Sequence, residues 1–148
     1  MARGVRAGIA AATLAVLCAA AQASEFRSVT EPTVLYDAPS VQSTKRFVLG
    51  RGYPLQVLVK LDAMTKVRDS GGDIGWVENK ALTDTRTVVV TAAAAEVRAG
   101  PAPEAPTVFR AERGVLLEVD EAPANGWIKV HHRDGESGYA RVGDVWGE

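Results

Sequence analysis

Cysteine occurs once in the 148 residues, as Cys18, inside an apolar leader. Beyond that leader the chain can form no disulfide, no cysteine nucleophile and no cysteine-based zinc site. Histidine is confined to His131 and His132, and Trp, Tyr and Phe number only three each. Charge of one sign is not in excess either: 17 Lys+Arg face 18 Asp+Glu, for a formal net charge of −1. Such a balance leaves no electrostatic footprint for nucleic acid and no polybasic segment for an anionic membrane. The one long apolar run, residues 7–21, is shorter than the roughly 20 residues a spanning helix needs. Helical periodicity is lacking throughout. Residues 92–96, four alanines and Glu96, are good helix formers, but β-branched residues and Pro101 flank them, so they read as strand and connection.

Arg3 and Arg6 precede the apolar run, and Ala21-Gln22-Ala23 follows it. A short cationic lead, an apolar stretch and a small-x-small site are the parts of a secretory signal. Residues 1–23 are therefore expected to be a signal peptide, with Ser24 as the mature N-terminus and the protein exported to the periplasm or beyond. Val16 and Leu17 stand where a lipid-anchored cysteine wants small residues before it, so soluble export is favoured and no membrane insertion of the mature chain is expected. Removing Arg3 and Arg6 leaves 15 Lys+Arg against 18 Asp+Glu, a balance of −3.

The rest of the chain repeats itself. An offset of 62 pairs Leu35 with Val97, Pro39 with Pro101, Phe47 with Phe109, Arg51 with Arg113, Gly52 with Gly114, Leu55 with Leu117 and Val57 with Val119. Further on an offset of 63 pairs Lys66 with Lys129, Val67 with Val130, Gly72 with Gly135, Gly75 with Gly138 and Trp76 with Tyr139. Two copies fall short of a solenoid and make a tandem pair of small units. We place them at residues 24–84 and 85–148, each of a size known to fold alone. The short polar connection of residues 83–87 has neither the Pro-rich nor the Gly/Ser-rich composition of a free spacer, so the units are expected to pack together.

Each unit reads as strands. Leu55, Val57, Val59 and Leu61 alternate with Gln56 and Lys60, and Val115, Leu117 and Val119 alternate with Leu116, Glu118 and Asp120, the pattern of a strand with one buried face. Pro39, Pro101, Pro103 and Pro106 predict an irregular loop in each copy. Gly71-Gly72, Asn125-Gly126 and Asp134-Gly135 predict hairpin turns.

Residues 90–101, Val-Thr-Ala-Ala-Ala-Ala-Glu-Val-Arg-Ala-Gly-Pro, resemble the opening of bacterial SH3-like (SH3b) domains. Arg113-Gly114, residues 116–119, residues 126–130 (Gly-Trp-Ile-Lys-Val) and residues 138–140 (Gly-Tyr-Ala) resemble that family's later pieces, in the same order. The first copy is similar at residues 35–39, Arg51-Gly52, residues 65–67 and residues 75–77, but Met64 stands where the family has Trp. The resemblance implies an all-β chain of two tandem small SH3-like β-barrels. It also implies a binding module of the cell envelope, without enzymatic activity or cofactor, whose partner is peptidoglycan or a peptide of an envelope protein.

No residues converge on a catalytic pattern. Ser40, Ser43, Ser70 and Ser137 lack a nucleophile-elbow setting. His131 and His132, next to Asp134 and Glu136, invite a metal reading, but adjacent strand residues point to opposite faces, and zinc sites want three or four ligands. A solvated strand ending in a charged hairpin is the simpler expectation. Aromatic residues are the better lead. If Ile128 and Val130 face the interior, Trp127, Lys129 and His131 share the outer face. The resemblance places Trp127, Tyr139, Arg98 and Lys129 in the second copy, and Trp76 and Tyr36 in the first, beside a ligand groove, with Tyr36 and Arg98 on the long loop. A packed Trp, half-covering its barrel or wedged between the copies, remains the alternative. Ala81 and Asp144 replace the aromatic that the family carries near the end of the domain.

Overall fold

The computed structural model describes residues 23–148, so Cys18 and residues 1–22 of the expected signal sequence lie outside the described residues. Strands β1 (Phe26–Val29), β2 (Thr33–Tyr36), β3 (Lys45–Leu49), β4 (Pro54–Lys60), β5 (Met64–Arg68), β6 (Ile74–Glu78) and β7 (Leu82–Thr83) form one antiparallel sheet in the order β3-β2-β6-β5-β4-β1-β7. A second sheet contains β8 (Thr87–Val90), β9 (Ala94–Arg98), β10 (Thr107–Glu112), β11 (Leu116–Ala124), β12 (Trp127–His131), β13 (Ser137–Arg141) and β14 (Val145–Trp146). Its order, β10-β9-β13-β12-β11-β8-β14, is that of the first sheet with every strand advanced by seven. Short 3-10 turns at Asn79–Ala81 and Val142–Asp144 occupy the same place in each. The described residues contain no α-helix and are all-β, as the sequence implies.

Each sheet curls around one apolar cluster. Val29, Leu35, Leu49, Leu55, Val67 and Val77 converge in the first, although they come from six different strands. Val88, Val97, Leu117, Ile128, Val130 and Ala140 lie at the centre of the second. The hydrogen-bonded ladders nevertheless stop at β3 and β7, and at β10 and β14, so neither expected barrel closes into a complete ring.

A bulge sits at the same place in both copies. Val57 pairs with Val67 but Val59 with Lys66, and Val119 pairs with Val130 but Glu121 with Lys129, so one extra residue enters β4 and β11. An inserted residue bends the strand and switches the faces beyond it. This corrects the simple alternation expected for the central strand: Val59 and Leu61 are 45% and 46% exposed, while Leu55 is fully buried. The strand β1 was not anticipated. Ser28 pairs with Pro54 as Val89 pairs with Leu116, which puts β1 and β8 at an offset of 61 rather than 62.

The two copies touch closely. Phe26 of β1 meets Trp146 of β14 edge-on, with ring centroids 5.1 Å apart and planes at 90°. Arg86 lies over the same phenyl ring at 5.5 Å and donates from Nη2 to the Gly147 carbonyl at 2.7 Å. Burial holds the Arg86 pKa below its ordinary value, Arg27 pushes the same way, and Glu148 opposes them. Thr87 Oγ1 donates to the Gly52 carbonyl at 2.6 Å, and Ser28 Oγ to Thr85 O at 2.5 Å. Gly147, at φ +122°, leaves no room for a side chain, since a Cβ would lie 2.7 Å from Thr87 O and 2.9 Å from Pro54 Cβ.

Candidate functional site

The outer face of β12 is built by strand alternation. Ile128 and Val130 are buried, and Trp127, Lys129 and His131 are half-exposed on the opposite side. Cross-strand pairing then sets Lys129 opposite Tyr139, and Trp127 opposite Arg141. The Arg141 guanidinium lies 5.2 Å from the Trp127 ring centroid, a cation–π contact that covers one aromatic face. Trp127, Lys129, Tyr139 and Pro101 line a shallow cleft of about 150 Å³, together with Glu121, Ala122 and Ala124 of β11 and Asn125 of the turn after it. Lys129 Nζ donates to Glu121 Oε1 at 2.9 Å, and this hydrogen bond raises the Lys129 pKa, keeping the ammonium charged at the rim.

Arg98 and Tyr36 differ from their expected settings. Both end a strand rather than sitting on the loop that follows. Arg98 donates from Nη1 to Ala105 O at 2.8 Å and pairs with Glu96, so its guanidinium ties down the loop that carries Pro101. It is a positioning residue for the cleft and does not line it. Tyr36 is only 7% exposed and offers the solvent little surface. It pairs with Trp76 as Arg98 pairs with Tyr139, and Trp76 stays half-exposed with Lys66 Nζ 5.9 Å from its ring centroid.

The first copy has the matching cleft. Pro39, Lys60, Leu61, Asp62, Ala63 and Met64 line it, in the places of Pro101, Ala122 to Asn125, and Trp127. Met64, in the place of Trp127, is buried, so this hollow has no half-exposed indole. Trp76 and Tyr36 do not line it.

Close backbone approach puts the second aromatic of each copy in place. A Cβ on Gly75 would lie 2.7 Å from the Tyr36 carbonyl oxygen and 2.7 Å from Leu35 Cγ, and one on Gly138 would collide with the Arg98 carbonyl. Trp76 and Tyr139 follow these glycines directly.

The histidines part company, as strand geometry requires. His131 sits between Asp120, with Nδ1 to Oδ1 at 2.6 Å, and Glu118, with Nε2 to Oε2 at 3.2 Å. His132 occupies the place of Asp69 in the preceding hairpin. The His132 amide donates to Glu136 O at 2.8 Å and the Gly135 amide to His132 O at 2.8 Å, as the Asp69 amide donates to Asp73 O and the Gly72 amide to Asp69 O. Sequence reasoning passed over Phe26 and Trp146, which join the copies.

The second copy is thus a small curled antiparallel sheet with half-exposed aromatics over a shallow outer cleft. Residues 91–147 match the family model described as bacterial SH3 domain. The first copy lies outside the matched residues. No curated protein matches the chain. Solved structures similar to it include NlpC2 and NlpC1 from Trichomonas vaginalis, both at 14% identity. NlpC2 aligns with a TM-score of 0.39 over 86% of this chain and 49% of its own, and NlpC1 with 0.40 over 87% and 48%. An NlpC/P60 family protein from Bacillus cereus aligns at 14% identity with a TM-score of 0.38, over 82% of this chain and 56% of its own. The chain thus spans about half the length of these proteins. Among the described residues no helix is long and apolar enough to cross a membrane.

Proposed function

We propose that this is an exported, non-enzymatic binding protein, with residues 24–84 and 85–148 as two SH3-like domains, that attaches to peptidoglycan or to the peptide of an envelope partner. The observation that carries the reading is the cleft in which Trp127, Tyr139, Lys129 and Pro101 come together. Rigid aromatic planes with polar tips gain contact area at little entropic cost, and a charged lysine at the rim selects polar or acidic groups. The matching hollow, with buried Met64 in place of Trp127, gives less directional contact, so the second copy is the reader.

Calorimetric titration with soluble peptidoglycan fragments, and with peptides from partners captured in envelope extract, tests this. Trp127→Ala should cost at least ~2 kcal/mol of binding, or roughly thirtyfold in affinity, and Met64→Ala much less. A folded Trp127→Ala protein that binds normally refutes the cleft reading. Loss on Met64→Ala alone would make the first copy the reader.

The contact of Phe26 with Trp146 favours a second reading, in which the paired copies serve as a rigid structural unit of an envelope assembly. Under it, neither cleft variant changes any association of the protein.

A further inference from the structure

Between the two copies, away from the aromatic cleft, runs a larger opening of about 640 Å³. Arg51 and Gly52 of the first copy form one side, and Leu116, Glu118, His132 and Arg133 of the second form the other. A smaller hollow of about 280 Å³ continues it past Thr30 and Thr85 and shares Arg51, Gly52 and Glu118. The volume falls within the roughly 300–1,000 Å³ usual for ligand clefts. The Thr87 hydrogen bond to Gly52 and the packing of Phe26 on Trp146 hold its two sides together.

Arg51 and Arg133, like Arg68, Arg110 and Arg113, have no carboxylate within ion-pair distance among the described residues, whereas Arg27, Arg46 and Arg98 do. Two free guanidinium groups from different copies thus line one cleft. Glu118 lines the same opening, one oxygen 3.2 Å from His131 Nε2, and His132 Nδ1 is held by Asp134 at 2.9 Å.

We propose that this opening is a second binding site, and that it takes the end of a short peptide bearing both a free carboxylate and an ammonium group. A guanidinium fork matches a carboxylate in a bidentate way, and Glu118 supplies the counter-charge for the ammonium. A phosphate polymer satisfies only half of this arrangement, because it meets the Glu118 carboxylate with like charge. The site needs both copies. It does not depend on the aromatic cleft, and either can fail alone.

Nitrogen-15 NMR titration of the whole protein tests it with alanyl-alanine, its C-terminal amide, its N-acetyl form and inorganic phosphate. Alanyl-alanine is expected to shift the amides of Gly52, Gly114 and Leu116. The amide and acetyl forms should bind at least about tenfold more weakly, and Arg51→Gln and Arg133→Gln should each weaken the dipeptide by a similar factor. Both arginines are exposed, so the variants should unfold at the temperature of the parent protein. The amide and acetyl comparisons use unaltered protein and decide the matter even if a variant does not fold. Equal binding of all three peptide forms, no shift at millimolar dipeptide, or phosphate binding as tightly as the dipeptide would overturn the proposal. Shifts confined to Trp127 and Tyr139 would overturn it too, while leaving the aromatic cleft reading intact.

Discussion

Replacing Phe26 by alanine probes the junction between the copies directly. Phe26 is 6% exposed, meets Trp146 edge-on at 5.1 Å and lies 5.5 Å beneath Arg86. Truncating a buried phenylalanine costs about 3–5 kcal/mol. A side chain at a junction leaves a gap that neighbours and water can partly fill, which puts Phe26→Ala near ~3 kcal/mol, a large part of the roughly 5–15 kcal/mol that stabilises a domain. About 0.5–1.5 kcal/mol of this belongs to the edge-to-face pair itself. Urea unfolding followed by circular dichroism would give the loss for Phe26→Ala, Trp146→Ala and the double variant. A coupling energy near 1 kcal/mol is expected, and the melting temperature of Phe26→Ala should fall by on the order of 10 °C. Loss of the junction should also divide a single unfolding transition into two, one per sheet. Single-variant losses that add within ~0.3 kcal/mol, with one unchanged transition, would refute the claim that this pair joins the copies.

Gly75→Ala and Gly138→Ala should each destabilise by about 1–3 kcal/mol, because the new methyl meets the carbonyl of Tyr36 or Arg98; thermal unfolding checks this, and a neutral result at both would show that the strands can part at no cost. Glu25 receives hydrogen bonds from Lys60 at 2.6 Å and faces Arg27 at 2.7 Å, and the Lys60 hydrogen bond in particular holds its pKa below the ordinary 4.5. A carboxyl with a depressed folded-state pKa stabilises above its unfolded value and loses that contribution as pH falls through the folded one. At this solvated position the contribution is a few tenths of a kcal/mol, about 0.2–0.5. Glu25→Gln should therefore be slightly less stable than the parent at pH 7 and equal to it once the pH is well below 4.5; a gap that persists in acid would show that the pairing is not its source.

Much of the fold was legible because duplication makes a sequence check itself. The paired positions Leu35 and Val97, Leu55 and Leu117, and Val67 and Val130 are all core. Period-2 reading of β12 places Trp127 and Lys129 on the outer face, and Met64 in the place of Trp127 marks the two clefts as different. What was missed has physical reasons. Strand β1 follows a third offset, so a search at 62 or 63 does not align it with β8. Phe26 corresponds to Thr87 and Trp146 to Thr83, and residues that differ between copies leave no repeat signal, although a contact between unlike halves needs such residues. Val59 and Leu61 keep an apolar alternation that the bulge after Val57 turns outward. Arg98 was legible as a position near the cleft but not in its role, because a guanidinium that grips its own loop and one that grips a ligand look alike in sequence.

The three tryptophans are also distributed in an experimentally useful way. Trp76 lies on the outer face of the first copy, Trp127 lines the cleft of the second, and Trp146 is at the seam. Each region thus carries one intrinsic fluorophore, and changing any two tryptophans to phenylalanine isolates the emission of the third. Trp146 alone would report the seam opening in denaturant, Trp127 alone the occupancy of its cleft, and Trp76 alone the integrity of the first copy, with no label attached.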